Sequence, residues 1–151
     1  MFKYPNPLAL EVRGVKTFKG MEGGGYNATV YAAGKKVAEL IDDATGGPLM
    51  VHVVDTLAGK EFKADLKALC ASLPPCMEFG EPLPISIDIY LDELVQFAEI
   101  QRKLARVRIK ATPFRLVTDA AHIGYRTINT PDVGKARAYL DAKFPNGYVL
   151  L

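Results

Sequence analysis

The residues of this 151-residue chain that bear on chemistry are few: Gly23-Gly24-Gly25, the pair Asp42-Asp43, Cys70 and Cys76, His52 and His122, and a run of cations from 102 to 115. A glycine run cradles phosphate when a strand delivers it and a helix follows, because free N–H groups and the helix dipole then meet the anion. Here Tyr26-Asn27-Ala28-Thr29-Val30-Tyr31 follows, a strand pattern, with no Gly-Lys-Ser/Thr behind it. The run therefore reads as a connection between strands. Asp42-Asp43 stands before Thr45-Gly46-Gly47-Pro48, where aspartates serve the backbone of a turn. Two cysteines are too few for a disulfide scaffold, and the two histidines lack the short pairing of a zinc site. Cys70 falls in a helical apolar stripe with nothing basic to lower its pKa, so it reads as an inert small hydrophobe, whereas Cys76, beside prolines, reads as an exposed thiol. His52 lies in a strand with no nucleophile beside it, and Asp119 and His122 flank the turn TDAAHIGY. No set of nucleophile, base and orienter assembles, so no catalytic residue, metal or cofactor is expected.

The cationic run carries the strongest signal. RKLARVRIKATPFR, residues 102–115, holds Arg102, Lys103, Arg106, Arg108, Lys110 and Arg115 and no acid. Val107, Ile109 and Ala111 alternate with Arg106, Arg108 and Lys110, which predicts a strand with three cations on one face, about 6.5–7 Å apart. Such a row matches a phosphate backbone. It would also protect an edge strand or face the acids at 88–93. Phe114 and Tyr125 are too few for a base-stacking platform. Along the chain, residues 1–55 hold six basic and six acidic side chains, 56–100 hold three and eight, and 101–151 hold ten and three. The middle is thus −5 and the last third +7, within a net charge of +2.

The elements that must position these groups follow from periodicity. Leu8, Leu10 and Val12 alternate as a strand, with a bulge at Gly14; Tyr26 to Ala32 and Lys36 to Ile41 form a hairpin about Ala33-Gly34; Leu49 to Val54 makes a fourth strand. Phe62, Leu66, Leu69, Cys70 and Leu73 stripe a helix capped by Asp55 or Thr56 and ended by Pro74-Pro75. Residues 74–84 read as a proline-rich connector. Ile87, Leu91, Leu94, Val95 and Ala98 stripe a second helix, acidic at its start and basic at its end, as the dipole favours. Pro113 places the following strand at an edge or breaks it before Phe114 to Val117. Tyr125 to Ile128 is its partner, and Thr130-Pro131-Asp132 opens a helix striped by Val133, Ala136, Leu140 and Phe144 before Tyr148 to Leu151. The expected fold is a single α+β domain over 1–151: an antiparallel sheet, made of an N-terminal four-strand meander plus a C-terminal hairpin, with three helices packed on one side.

The segments GVKTFKGMEGGGYNATVYAAGKKVAELIDDATGG and FRLVTDAAHIGYRTINTPDVGKARAYLDAKFPN together resemble a group of small proteins carried by bacteriophages and plasmids of proteobacteria. The resemblance covers about half the chain and rests on structural motifs. It implies a mobile-element setting and a binding role, with no catalytic residue to carry over. No apolar run approaches the ~18 residues of a membrane span and no secretory signal leads the chain, so a cytoplasmic protein without membrane contact is expected. The expected function is non-enzymatic. The basic C-terminal surface would be presented to nucleic acid or a nucleic-acid-processing complex. The alternatives are a protein–protein module, as a homo-oligomer or an inhibitor of a host defence protein, and a small hydrolase or transferase.

Overall fold

The computed structural model describes residues 2–78, 80–120 and 124–151. Its contacts fall into two compact units, Met1–Glu99 and Ile100–Leu151. The fold is α+β, with a four-strand antiparallel meander in the first unit and a three-strand antiparallel sheet in the second.

In the first unit β1 (Leu10–Gly20), β2 (Gly23–Ala32), β3 (Lys35–Asp42) and β4 (Met50–Val53) pair in sequence order. The expected bulge shifts the β1–β2 register between Arg13 and Lys16, and Gly14 supplies it with φ 65°. Ala33 and Gly34 both take positive φ, 46° and 78°, at the β2–β3 turn. That pair of angles matches the right-handed strand twist and explains why a turn without Asn or Asp still closes the hairpin. Helix α1 (Leu57–Ser72) packs on β3 and β4. Thr56 caps it, its hydroxyl accepting from Gly59 N–H at 3.1 Å. Phe62, Leu66 and Cys70 bury its stripe, and burial pushes the Cys70 thiol up. Within the stretch expected to be a proline-rich connector, the chain forms a short hairpin, β5 (Cys76–Glu78) with β6 (Glu81–Leu83). Gly80 at φ 85° turns it, a signal that the neighbouring prolines obscure.

Helix α2 spans Ile87–Arg108, and the boundary between the units falls inside it. Its Tyr90, Leu91, Leu94 and Val95 join Val30, Ala38, Leu40 and Leu66 in the core of the first unit. Each fully buried Val or Leu among them contributes about 1.5–3 kcal/mol of burial. Tyr26 on β2 donates to Asp92 Oδ1 at 3.0 Å, and Gln96 Nε2 donates to Asp92 Oδ2 at 2.6 Å. Burial first, then the Asp92 carboxylate, push the Tyr26 phenol far above its ordinary range, so it stays a donor. Phe2 and Tyr4 pack against Tyr90, at ring separations of 5.3 and 5.7 Å, and Tyr90 donates to Pro5 O.

The second unit holds the end of α2, then β7 (Thr112–Leu116), β8 (Arg126–Ile128), α3 (Val133–Lys143) and β9 (Tyr148–Leu150). The strand order is β8-β7-β9, so β7 is central. Ala136 and Leu140 are fully buried and Phe144 meets Phe114 at 6.0 Å, while Val133, expected on the buried stripe, is half exposed. Asp132 caps α3, accepting from Lys135 N–H at 3.1 Å. Among the described residues no helix is long and apolar enough to cross a membrane.

Candidate binding surface

The predicted strand of alternating cations is helix. α2 continues to Arg108, so Arg102, Lys103, Arg106 and Arg108 are helical, Lys110 lies in the following turn and Arg115 is on β7. At about 100° per residue, Arg102, Arg106 and Lys103 share one sector of the helix, and Arg108 points away from them. The alternation of six residues fits the end of a helix as well as a strand, and cations in a last helical turn are stabilised by the dipole, so the helix runs on.

Among the six cations, Arg108 and Arg115 are held at backbone oxygens of the unit. Pro113, expected at an edge or a break, lies inside the central strand β7. Its carbonyl accepts from Leu151 N–H at 3.0 Å, but proline has no N–H to return to Leu151 O. Arg108 Nε makes that bond instead, at 3.0 Å. Arg115 Nη2 donates to Ala120 O at 3.1 Å. Lys103, Arg106 and Lys110 are exposed and carry no carboxylate partner among the described residues. Arg102 is exposed too, and it has an interaction of its own. Phe114 faces the core at 4% exposure and Tyr125 lies at the surface, so the two aromatics do not share a platform.

The acids of this unit each hold a hydrogen-bond partner within it, and Asp119 alone is buried at its side chain. Asp119 accepts from Leu116 N–H and from both Nε and Nη2 of Arg126. The hydrogen bonds from Arg126 hold its carboxyl down at about 2. Asp132 caps α3, and Asp141 accepts from the Tyr148 hydroxyl at 2.8 Å. The sequence of this unit contains ten basic and three acidic side chains, a net +7, against −5 for Met1–Glu99. Lys135, Arg137 and Lys143 on α3 add to that charge. They lie outside the 102–115 run, and composition by segment was the signal that contained them.

The remaining chemical candidates resolve as backbone features. Gly23–Gly25 is the start of β2. A Cβ at Gly25 would strike the Asp42 carbonyl and the Phe18 ring of the paired strand, so the glycine is there for close approach. Asp42 and Asp43 accept from Ala44 N–H and Thr45 N–H, as turn aspartates do. His52 is exposed on β4 opposite Glu39. Cys76 is half-buried, its thiol 3.6 Å from Leu83 O. Phe79 and Ala121-His122-Ile123 lie outside the described residues, and with them the His122 half of the Asp119–His122 expectation. Among the described residues no cluster of three or more His, Cys, Asp or Glu is placed to hold a metal ion. Comparison of the chain with protein-family models, curated proteins and solved structures finds no match.

Proposed function

We propose that the chain is a non-enzymatic binding protein, of a phage or other mobile element, that offers the unit Ile100–Leu151 to nucleic acid or a nucleic-acid-processing complex. The observation that carries this reading is the pairing of a +7 charge with carboxylates that are already engaged: Asp119, Asp132 and Asp141 each serve a hydrogen bond within the unit. Lys103, Arg106 and Lys110 are the cations best placed to meet phosphates, since each is exposed and none has a carboxylate partner among the described residues. Arg102 lies beside them; Arg108 and Arg115 contribute field, their guanidinium groups being occupied at carbonyls.

The test is fluorescence anisotropy with labelled single- and double-stranded oligonucleotides. Replacing Lys103, Arg106 and Lys110 together by Glu should weaken binding at least about tenfold, because three phosphate contacts are lost and three repulsions added. The triple charge reversal Lys60→Glu, Lys63→Glu and Lys67→Glu on α1 should leave binding close to wild type. Equal binding by the first variant and the wild type would defeat the reading.

A further inference from the structure

Beside α3 and β9 the second unit has an open groove of about 520 Å³, lined by Arg137 and Asp141 of α3, by Phe144 just after that helix, and by Tyr148, Val149 and Leu150 of β9. β9 is an outer strand of its sheet, with β7 on one side only. Two bonds fix the hydrogen-bonding phase of the ladder: Val117 N–H to Gly147 O and Leu151 N–H to Pro113 O. Hydrogen-bonded pairs alternate in an antiparallel ladder, so Arg115 and Val149 form the next such pair. The N–H and C=O groups of Tyr148 and Leu150 therefore point away from β7, toward the groove side.

We propose that this groove takes an extended, acidic peptide segment of a partner protein as a further strand on β9. An added strand would satisfy the edge groups of Tyr148 and Leu150, and alternate side chains would project along α3. An apolar residue there meets Phe144 and an acidic one meets Arg137. The charge of the unit selects an acidic partner: it is +7, and Asp141 is already engaged by the Tyr148 hydroxyl. A second copy bound through β9 to β9 would bring two +7 units together, which opposes self-pairing. Nucleic acid lacks the backbone donors and acceptors, repeating every ~6.5–7 Å, that the edge calls for.

The full-length chain should be titrated with three fluorescein-labelled hexapeptides in a polarisation assay: Asp-Val-Glu-Ile-Glu-Val, its lysine counterpart Lys-Val-Lys-Ile-Lys-Val, and the acidic peptide N-methylated at alternate residues. The acidic peptide should bind, the basic one at least about tenfold more weakly, and the N-methylated one likewise, because each methyl deletes an edge hydrogen bond. Arg137→Glu, at an exposed position, should abolish the preference for acid. Leu150→Pro removes one outward N–H while sparing the bonds to β7, and should weaken binding. Indifference to N-methylation, or failure of the acidic peptide to bind, overturns the proposal whatever the folding of the variants. Displacement of the peptide by an oligonucleotide would assign the groove to nucleic acid, and concentration-dependent dimerisation lost in Leu150→Pro would assign it to a second copy; either result also overturns it. The oligonucleotide test of the previous subsection uses different side chains, so the two can fail separately.

Discussion

At the scale of single residues, the glycines show how close approach overrides local propensity. Gly59 stands in the first turn of α1 and is buried. In an open helix, alanine there would stabilise by about 0.5–1 kcal/mol. Here the added Cβ would land on the Val54 carbonyl and within 3.2 Å of Val53 Cγ1. A backbone carbonyl cannot swing aside as a long side chain can, and overpacking of this kind costs about 1–3 kcal/mol. Gly59→Ala should therefore lower the urea midpoint of unfolding, and an unchanged or raised midpoint would show that the α1 entry relaxes freely. Gly25 has the same logic at the Phe18 ring, which is why a glycine run that suggests phosphate chemistry on paper is a packing device in the sheet.

Between elements, one ion pair fastens the corner from β7 to β8. Asp119, 4% exposed at its side chain, binds Arg126 of β8 and the N–H of Leu116 at the end of β7. The Arg126 hydrogen bonds lower its pKa to about 2. An acid with a folded pKa below its unfolded value of about 3.9 stabilises the fold above that value and loses the contribution as pH falls through its folded pKa. Stability measured by thermal unfolding should thus decline between about pH 4 and pH 2, and Asp119→Asn should flatten part of that decline. A profile identical in wild type and variant would mean that other carboxylates carry all of it. The helices and most strands were legible in the sequence because their stripes are one-faced. The end of α2 was not: the alternation of cation and apolar residue over 106–111 has the period of a strand, while Leu104, Val107 and Ala111 keep helical spacing, and Arg108 makes the bond to Leu151 O that proline in β7 cannot.

For the whole molecule, the separation of charge is what distinguishes this chain. The boundary between compact units, at Glu99 and Ile100, coincides with the change from net acidic to net basic sequence. If phosphates are the partner, the logarithm of the binding constant should fall linearly with the logarithm of salt concentration, by about 0.9 for each phosphate neutralised on duplex DNA. The variant reversed at Lys103, Arg106 and Lys110 should then show a slope shallower by about two to three. A slope unaffected by that substitution would place the contacts elsewhere on the unit.

Sequence alone determined the class of fold, the meander, the cap of α1, the burial of Cys70 and the cationic final third, because each depends on spacing or composition within a short segment. Tertiary structure decided which cations already hold a hydrogen-bond partner, since Arg108 is held by Leu151 O, a residue distant in sequence. It also decided that α3 and the edge of β9 line one groove. Local periodicity specifies which face of a segment is apolar, but not which strand becomes an edge or which carbonyl lacks its donor; those follow from pairings that only chain closure creates.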